Sequence, residues 1–218
     1  MGNRPLLAFL KKWAKGGVAS EIEPEDAPYE ILSKLHGQYH GFIDAVVKSN
    51  AGDNFDAAAR CINKAAAVVC YGFLNSRILA NYLSDSLIEL GIQAIYECDY
   101  VQAKRRIHLL NPECDAVVVI SKSGEKAEPV GIAEYAQLLG ISVISVSDAA
   151  GNSLSRKSDI HIKILEDGNR STPAPAMGTF AGALLALDAL TMCVFQLDRK
   201  RYQKSYGESL VAAFSARR

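Results

Sequence analysis

The sequence predicts an α/β fold, a three-layer, doubly wound sheet of five parallel strands with helices on both faces. Two observations carry this prediction. From residue 65 onward, short apolar segments alternate with helix-like segments, which is the pattern of a parallel sheet with right-handed crossovers. One segment, AVVVI at 116–120, is an unbroken apolar run rich in β-branched residues, as in a strand buried on both faces. We expect the flavodoxin-like strand order 2-1-3-4-5.

Turn residues and periodicity place the individual elements. Gly91 and Gly140 each end a helical segment, since glycine is favoured just after a helix. Alternating polarity at 160–165 indicates a strand at the edge of the sheet. The predicted strands are residues 67–71, 92–97, 116–120, 142–146 and 160–165, and the helices between them are residues 75–90, 101–110 and about 127–139, with a single helical turn at 153–156.

Helices are also predicted on either side of the alternating region. Pro28 suits the first position of a helix that runs to about residue 49, and an acidic segment with two prolines at 21–28 has the character of a linker. The other helices are predicted at 5–14, 55–64, 177–197 and 208–214. We divide the chain into a helical lead-in (1–54), the α/β domain (55–200) and a C-terminal helix (201–218).

The bulk composition argues against several classes of function. The formal net charge is +0, which removes the electrostatic argument for binding nucleic acid or a membrane. No segment has the pattern of a signal peptide. The apolar segment 177–197 contains Asp188, as expected for a buried helix rather than a membrane span. The five cysteines are scattered without metal-binding or disulfide spacing, which indicates a cytoplasmic protein with free thiols.

The stretch with the most chemistry follows the third strand. Ser121, Ser123, Gly124 and Lys126 stand between this strand and the next helix. Backbone N–H groups, the positive end of a helix dipole and two hydroxyl groups converge in such a turn, which makes it a site for a small anion such as a phosphate group. Lys126 would add a positive charge. The alternative is an ordinary polar turn with a capping serine.

A second polar turn follows the first strand. Gly72 ends that strand, and Asn75 and Ser76 either contact a ligand or only cap the next helix. Because strands one and three are neighbours in the expected order, the loops at 72–76 and 121–126 should face each other. The glycine pattern of a dinucleotide-binding loop is absent, so we expect no nucleotide or other cofactor.

Three weaker hypotheses concern single residues elsewhere. Ser147, after the fourth strand, either lines the same cleft or belongs to a surface turn. Glu166, after the fifth strand, is the one candidate for a catalytic base, with an ordinary surface carboxylate as the simpler interpretation. His36 and His40 share a helix face, but no nearby carboxylate completes a site there, so we expect no metal.

Over about residues 56–197 the chain resembles the sugar isomerase (SIS) domain family. The loop at 121–126, Ser-Lys-Ser-Gly-Glu-Lys, is similar to the family's Ser-x-Ser-Gly-x-Thr or Ser, with Lys126 in the last place. The loop at 72–76 is similar to the family's Gly-x-Gly-x-Ser, with Leu74 in place of the second glycine. The resemblance implies an SIS fold with extra helices at both ends and a sugar phosphate held by these loops.

More narrowly, the chain is similar to the phosphosugar-sensing half of RpiR-type bacterial transcription regulators. Glu166, then Arg170-Ser171, then a helix containing Leu185 and Asp188 resemble the end of that domain. Those regulators also carry an N-terminal helix-turn-helix module, for which the residues before the α/β region leave no room. DNA is therefore expected as a partner only if a helix-turn-helix is supplied elsewhere.

Three functions remain open at this stage. The first is a phosphosugar-binding module without catalysis, as in the effector-sensing part of a regulator. The second is an aldose–ketose phosphosugar isomerase, with Glu166 as the base and a histidine of a neighbouring subunit assisting. The third is a structural relative that serves as an oligomer interface through its apolar helices at 31–46 and 177–197. Related domains commonly pair, so we expect a homodimer or homotetramer.

Overall fold

The computed structural model describes residues 22–50, 52, 54–148, 151–164 and 176–215, which form five strands and seven helices. The elements in chain order are α1 (Pro28–Ser49), α2 (Asn54–Lys64), β1 (Ala67–Gly72), α3 (Ser76–Glu89), β2 (Gln93–Glu97), α4 (Tyr100–Ile107), β3 (Ala116–Ser121), α5 (Ala127–Leu138), β4 (Ser142–Ser147), a 3-10 turn (Ser155–Lys157), β5 (Ile160–Lys163), α6 (Ala176–Leu197) and α7 (Arg199–Ser215). The α/β architecture predicted from the alternating segments is therefore confirmed.

The strands form one parallel sheet in the order β2-β1-β3-β4-β5, as predicted. All six residues of the central strand β3 are buried, which explains the unbroken apolar run in its sequence. The edge strand β5 alternates in polarity, and only Ile162 among its four residues is buried. In the register of the centre, Gly72 of β1 pairs with Ile120 of β3, and Ser121 of β3 pairs with Ser147 of β4.

Two apolar layers cover the two faces of the sheet. On one face, Val118 and Ile120 of β3 pack with residues of α2, α3 and α6. On the other face, Val117 and Val119 pack with residues of α4 and α5. Successive side chains of a strand point to opposite faces, so β3 supplies both layers.

The C-terminal helix differs from its prediction. Helix α7 begins at Arg199, although the polar sequence after residue 197 led us to expect a helix only at 208–214. Tyr202 anchors the early part of α7, because its side chain is fully buried and its hydroxyl group donates a hydrogen bond to Oδ1 of Asn63 on α2. One buried aromatic side chain thus extends the helix into a segment without a strong apolar stripe.

Smaller differences concern helix ends and cysteines. Helix α4 ends at Ile107 rather than at 110, because the amide of Leu110 bonds the carbonyl of Ile107 in a tighter turn. All five cysteines are free, but only Cys70 is fully buried, and burial raises the pKa of its thiol to about 12. Cys98 is exposed. The helix predicted at 5–14 lies outside the described residues.

One helix within the described residues has the length and composition of a membrane span. It is the part of α6 from Phe180 to Leu197, with a mean hydropathy of 1.8. In the fold, this helix packs against α1, α2 and α3, and its Ala186, Leu187 and Leu190 are fully buried in the apolar layer over the sheet. A core position explains the apolar sequence of this helix.

Candidate functional site

The loops after β1 and β3 lie side by side at the carboxyl edge of the sheet. Because Gly72 pairs with Ile120, both strands end at the same level. The two loops share a cavity of about 70 Å³, to which the first loop contributes Asn75 and Ser76 and the second contributes Lys122. The cleft between neighbouring parallel strands, expected from the strand order, is present.

Gly72 lets helix α3 start directly against the end of β1. A Cβ atom at Gly72 would lie 2.4 Å from the carbonyl oxygen of Ser76 and 2.9 Å from Cβ of Ala80, closer than non-bonded atoms approach. Glycine is therefore required here by close packing. The consequence for the site is that the first turn of α3 sits at the cleft.

Leu74, which stands where the pattern of the resembled family has glycine, adopts a left-handed backbone conformation. Its φ angle is +52°, in the left-handed region that costs an ordinary residue about 1–2 kcal/mol. Its side chain is 60% exposed and is not among the residues that line the cavity. The leucine side chain thus points away from the cavity lining and leaves the cavity open.

Asn75 and Ser76 line the cavity instead of closing the helix. Asn75 occupies the N-cap position of α3, but its side chain makes no capping hydrogen bond. Ser76 is only 9% exposed, and its hydroxyl group forms no hydrogen bond with any residue that the structure describes. Because Ser76 lines the cavity, this hydroxyl group is a candidate ligand contact.

The loop after β3 presents unpaired donors. Ser121 is 4% exposed, and its hydroxyl group has no hydrogen-bond partner among the described residues. The hydroxyl group of Ser123 accepts a bond from the amide of Glu125 at 3.3 Å. Within the described part of the chain, the amides of Ser123, Gly124 and Lys126 donate no hydrogen bond. These donors are what an anion at this edge would need.

Asn152, on the segment after β4, packs against Gly124 of this loop, a contact that we call the Asn152 clamp. The amide of Leu154 joins the two segments by donating to the carbonyl oxygen of Gly124 at 2.8 Å. Gly124 has φ +66°, and a Cβ atom there would lie 2.2 Å from Oδ1 of Asn152. The Asn152 amide donates to Oγ of Ser147 at 3.0 Å and to the carbonyl oxygen of Asp148 at 3.2 Å, and its Oδ1 accepts from the amide of Ser155 at 2.8 Å. Gly124 therefore provides the space in which this amide makes three bonds.

Of the two lysines in this loop, the one that lines the cavity is not the one proposed from the sequence. Lys126 is exposed at the N-cap of α5, makes no capping bond through its side chain and is not among the residues that line the cavity. Lys122 lines the cavity but was not identified from the sequence. The signal was available, because residues 118, 120 and 122 alternate onto the same face of β3. Glu166, the candidate base, lies outside the described residues.

Ser147 is a supporting residue in this structure. It is fully buried, and its Oγ lies 3.0 Å from Nε2 of His161 and accepts the bond from Asn152. A chain of polar contacts therefore runs from Asn152 through Ser147 to His161 on β5. Burial lowers the pKa of His161, which favours a neutral ring in this chain.

Glu125 fastens the outer end of the loop. Its Oε2 accepts the hydroxyl proton of Ser153 at 2.6 Å, and its Oε1 accepts the Ser153 amide at 3.1 Å. These two bonds, with the nearby charge of Arg156, lower the pKa of Glu125. Both oxygens of the Glu125 carboxylate are thus bonded to Ser153, on the segment after β4.

Comparisons with known proteins agree with this architecture. Residues 99–206 match the SIS domain family. Over 147 residues, which are 66% of this chain, the sequence is 25% identical to glutamine–fructose-6-phosphate aminotransferase (isomerizing) of Symbiobacterium thermophilum. The chain spans 23% of that relative's length, so the likeness concerns one part of a longer protein.

Two solved structures share the fold at low sequence identity. The Vibrio vulnificus NanR protein complexed with ManNAc-6P superposes with a TM-score of 0.78 at 20% identity, over 96% of this chain and 74% of that chain. The sugar isomerase domain of the RpiR transcription factor from Sphaerobacter thermophilus superposes with a TM-score of 0.72 at 16% identity, over 82% of this chain and 97% of that chain.

Gly124→Ala should destabilise the protein through the Asn152 clamp. A methyl group at this position meets the Asn152 side chain and adopts an unfavourable φ, so we expect a loss of about 2–4 kcal/mol in the free energy of unfolding, measured by urea unfolding. Gly151→Ala is the matched control, because Gly151 has φ +92° but no described atom within 4 Å of the place where a methyl group would lie. Equal losses in the two variants would contradict the clamp.

Protonation of His161 should cost stability at low pH. The folded protein binds this proton at a lower pH than the unfolded chain, whose histidine pKa is about 6.5. The free energy of unfolding should therefore fall as pH decreases from about 6.5, measured by urea unfolding between pH 5 and 8. His161→Gln should reduce this slope, while His40→Gln, on the exposed side of α1, should keep it. An unchanged slope in His161→Gln would refute the assignment.

Proposed function

The chain belongs to the SIS domain family, and on that premise we propose that it binds a phosphorylated sugar between the loops after β1 and β3. The observation that carries the proposal is the convergence of unpaired donors at one edge of the sheet. Asn75 and Ser76 at the start of α3 and Lys122 after β3 line one cavity there, and the hydroxyl groups of Ser76 and Ser121 bond no described residue. A phosphate group has the acceptor oxygens and the charge that such a set of donors matches.

The sensing role is the more specific part of the proposal. NanR, with the higher TM-score of the two structures, was solved with a sugar phosphate, and the second is a domain of a transcription factor. The cavity is lined by no carboxylate or imidazole group within the described residues, so its lining offers no acid–base pair. We propose that the chain acts as the effector-sensing part of an RpiR-type regulator in the cytoplasm, where its free thiols would persist.

An aldose–ketose phosphosugar isomerase is the second candidate. The likeness to part of an isomerizing aminotransferase favours it. Such a reaction moves a proton between adjacent carbons and needs a base, for which Glu166 is the candidate residue. The two functions share the phosphosugar site and differ in whether the bound sugar reacts.

A homodimer through α1 and α6 is the proposed assembly. Val46 is the one buried residue of α1, and Leu32 and Val47 on that helix are 66% and 63% exposed. On α6, one third of the segment Phe180–Leu197 is buried within one chain, most other residues are half-buried, and Met192 is 53% exposed. Two adjacent helices with this much uncovered apolar surface suit a second copy of the chain.

Leu32→Glu should dissociate the dimer. A carboxylate in the apolar contact would be buried without a partner, so we expect the mass in light scattering to fall from two chains to one. Leu138→Glu is the matched control, because Leu138 is 80% exposed on α5, on the opposite side of the sheet. A single-chain mass for the unmodified protein would refute this interface.

Sugar phosphates should stabilise the protein, and removing the loop hydroxyl groups should abolish most of that effect. In a thermal-shift series with ManNAc-6P, fructose 6-phosphate and the unphosphorylated sugars, only the phosphate esters should raise Tm. Ser121→Ala with Ser123→Ala should weaken binding by about 1–3 kcal/mol, the scale of lost hydrogen bonds to a charged group.

The matched control is Ser86→Ala with Ser209→Ala, on α3 and α7 outside the cleft. Unchanged affinity in the 121/123 variant would mean that the loop is only a turn. Conversion of any sugar phosphate to its isomer would favour the isomerase, and Glu166→Gln should then abolish turnover while leaving binding nearly intact. No response to any phosphate ester would refute phosphosugar binding and leave an interface role.

A further inference from the structure

Lys122 projects from the loop after β3 into the cavity at the carboxyl edge of the sheet. Its carbonyl oxygen accepts the amide of Asp148 at 2.8 Å, which fixes its backbone against the segment after β4. Its side chain lines the cavity with Asn75 and Ser76 from the facing loop. The lysine therefore stands across the cleft from the two polar residues at the start of α3.

The direction of this side chain follows from the strand that precedes it. Val118 and Ile120 of β3 point into the apolar layer beneath α3 and α6, while Val119 points to the other face. Lys122 continues the series of Val118 and Ile120, so it extends toward α3 and α6. The rest of the cavity lining is apolar, contributed by Leu79, Ile164, Phe180 and Ala183.

The charge of Lys122 is uncompensated within the described structure. It forms no ion pair with any described residue, and the nearest carboxylate along the chain, Glu125, is held by two bonds from Ser153. The described residues that line the cavity include no carboxylate. Lys122 is exposed overall, so solvent screens part of its charge, and its attraction for an anion is strongest where it borders the apolar wall of the cavity.

The neighbouring donors differ from Lys122 in what they recognise. Hydroxyl and amide groups bind any oxyanion of suitable shape, whereas the energy of a point charge depends on the charge of its partner. A phosphate monoester is mostly dianionic at pH 7, because its second pKa is about 6. A sulfate ester of the same shape carries only one negative charge. Lys122 is the group in this cavity that senses the difference.

We propose that Lys122 is the specificity-determining residue of the cleft and selects ligands whose acidic group is a dianionic phosphate monoester. This inference rests on the proposed phosphosugar function and adds to it the residue and the charge state that define the ligand class. The size of the cavity, about 70 Å³, suits a compact headgroup, with the remainder of the ligand extending out of the cavity.

The test measures Kd by calorimetry for the full chain with two probes at pH 7.5. One probe is the sugar phosphate from the thermal-shift series that binds most tightly, and the other is the sulfate ester of the same sugar. The variants are Lys122→Met, which keeps the aliphatic stem, Lys122→Arg, which keeps the charge, and Lys126→Met. Lys200→Met, on the exposed surface of α7, is the control for the change in net charge.

Lys122→Met should lose about 10–100-fold in affinity for the phosphate ester and bind the two esters with nearly equal Kd. The unmodified protein, Lys122→Arg and Lys200→Met should keep the preference for phosphate. In the unmodified protein, phosphate-ester affinity should also rise as pH increases through about 6, and this rise should be weaker in Lys122→Met. If Lys122→Met unfolds at the same urea concentration as the unmodified protein, the loss of affinity comes from a lost ligand contact and not from a loss of stability.

A phosphate preference that survives in Lys122→Met, or is lost in Lys126→Met instead, would overturn this assignment while leaving phosphosugar binding intact. Failure of the unmodified protein to bind any phosphate ester would refute the proposed function itself, and this inference with it. The two failures are therefore distinguished by the unmodified protein alone.

Discussion

The parallel pairing of β1 with β3 is the constraint on which the cleft depends. Gly72 lies beside Ile120, so the two strands end together and their loops leave the sheet at one level. Burial of β3 on both faces enforces this register, because a slip by one residue would exchange the faces of all its side chains. Lys122 would then point away from α3. Packing of valines in the core thus determines where the polar groups of the cleft lie.

A second constraint keeps the loop after β3 in one conformation. Hydrogen bonds link Asn152 and His161, both half-buried, through the fully buried Ser147, and Glu125 accepts a bond from Ser153 at the outer end of the loop. Networks of this kind rigidify a site when every member has a partner. The hydroxyl groups of Ser76 and Ser121 take no part in this network and bond no described residue, which leaves them available to a ligand.

Leu74 shows how backbone conformation can persist when the favoured residue is replaced. The SIS family has glycine at this position of the loop, and the chain keeps a left-handed φ there with leucine. Strain of this kind persists where surrounding structure determines the backbone, and it is concentrated at functional sites. Here the surrounding structure is the contact between Gly72 and the first turn of α3. Close packing of Gly72 against α3, just before Leu74 in the chain, therefore fixes the conformation of this loop.

Sequence reasoning succeeded where a local pattern has one structural meaning, and it was incomplete where the outcome depends on distant partners. The apolar run of β3 and the glycine after α3 predicted strand and helix ends closely. Ser147 was interpreted as a candidate lining residue, but its partners are Asn152 and His161, five and fourteen positions away. The start of α7 depends on a contact of Tyr202 with Asn63, which is 139 residues earlier in the chain. A prediction from neighbouring residues cannot include such a contact.

By itself, the sequence determined the α/β class, the strand order and the two loops that meet at the carboxyl edge, because hydrophobic periodicity and turn residues are local properties. Only the tertiary structure decided that Lys122 rather than Lys126 lines the cavity, that Ser147 supports Asn152, and that Leu74 leaves the cleft open. The direction of a side chain and the hydrogen-bond partners of a hydroxyl group depend on residues from other elements of the fold. Those residues come together only when the sheet and its helices pack.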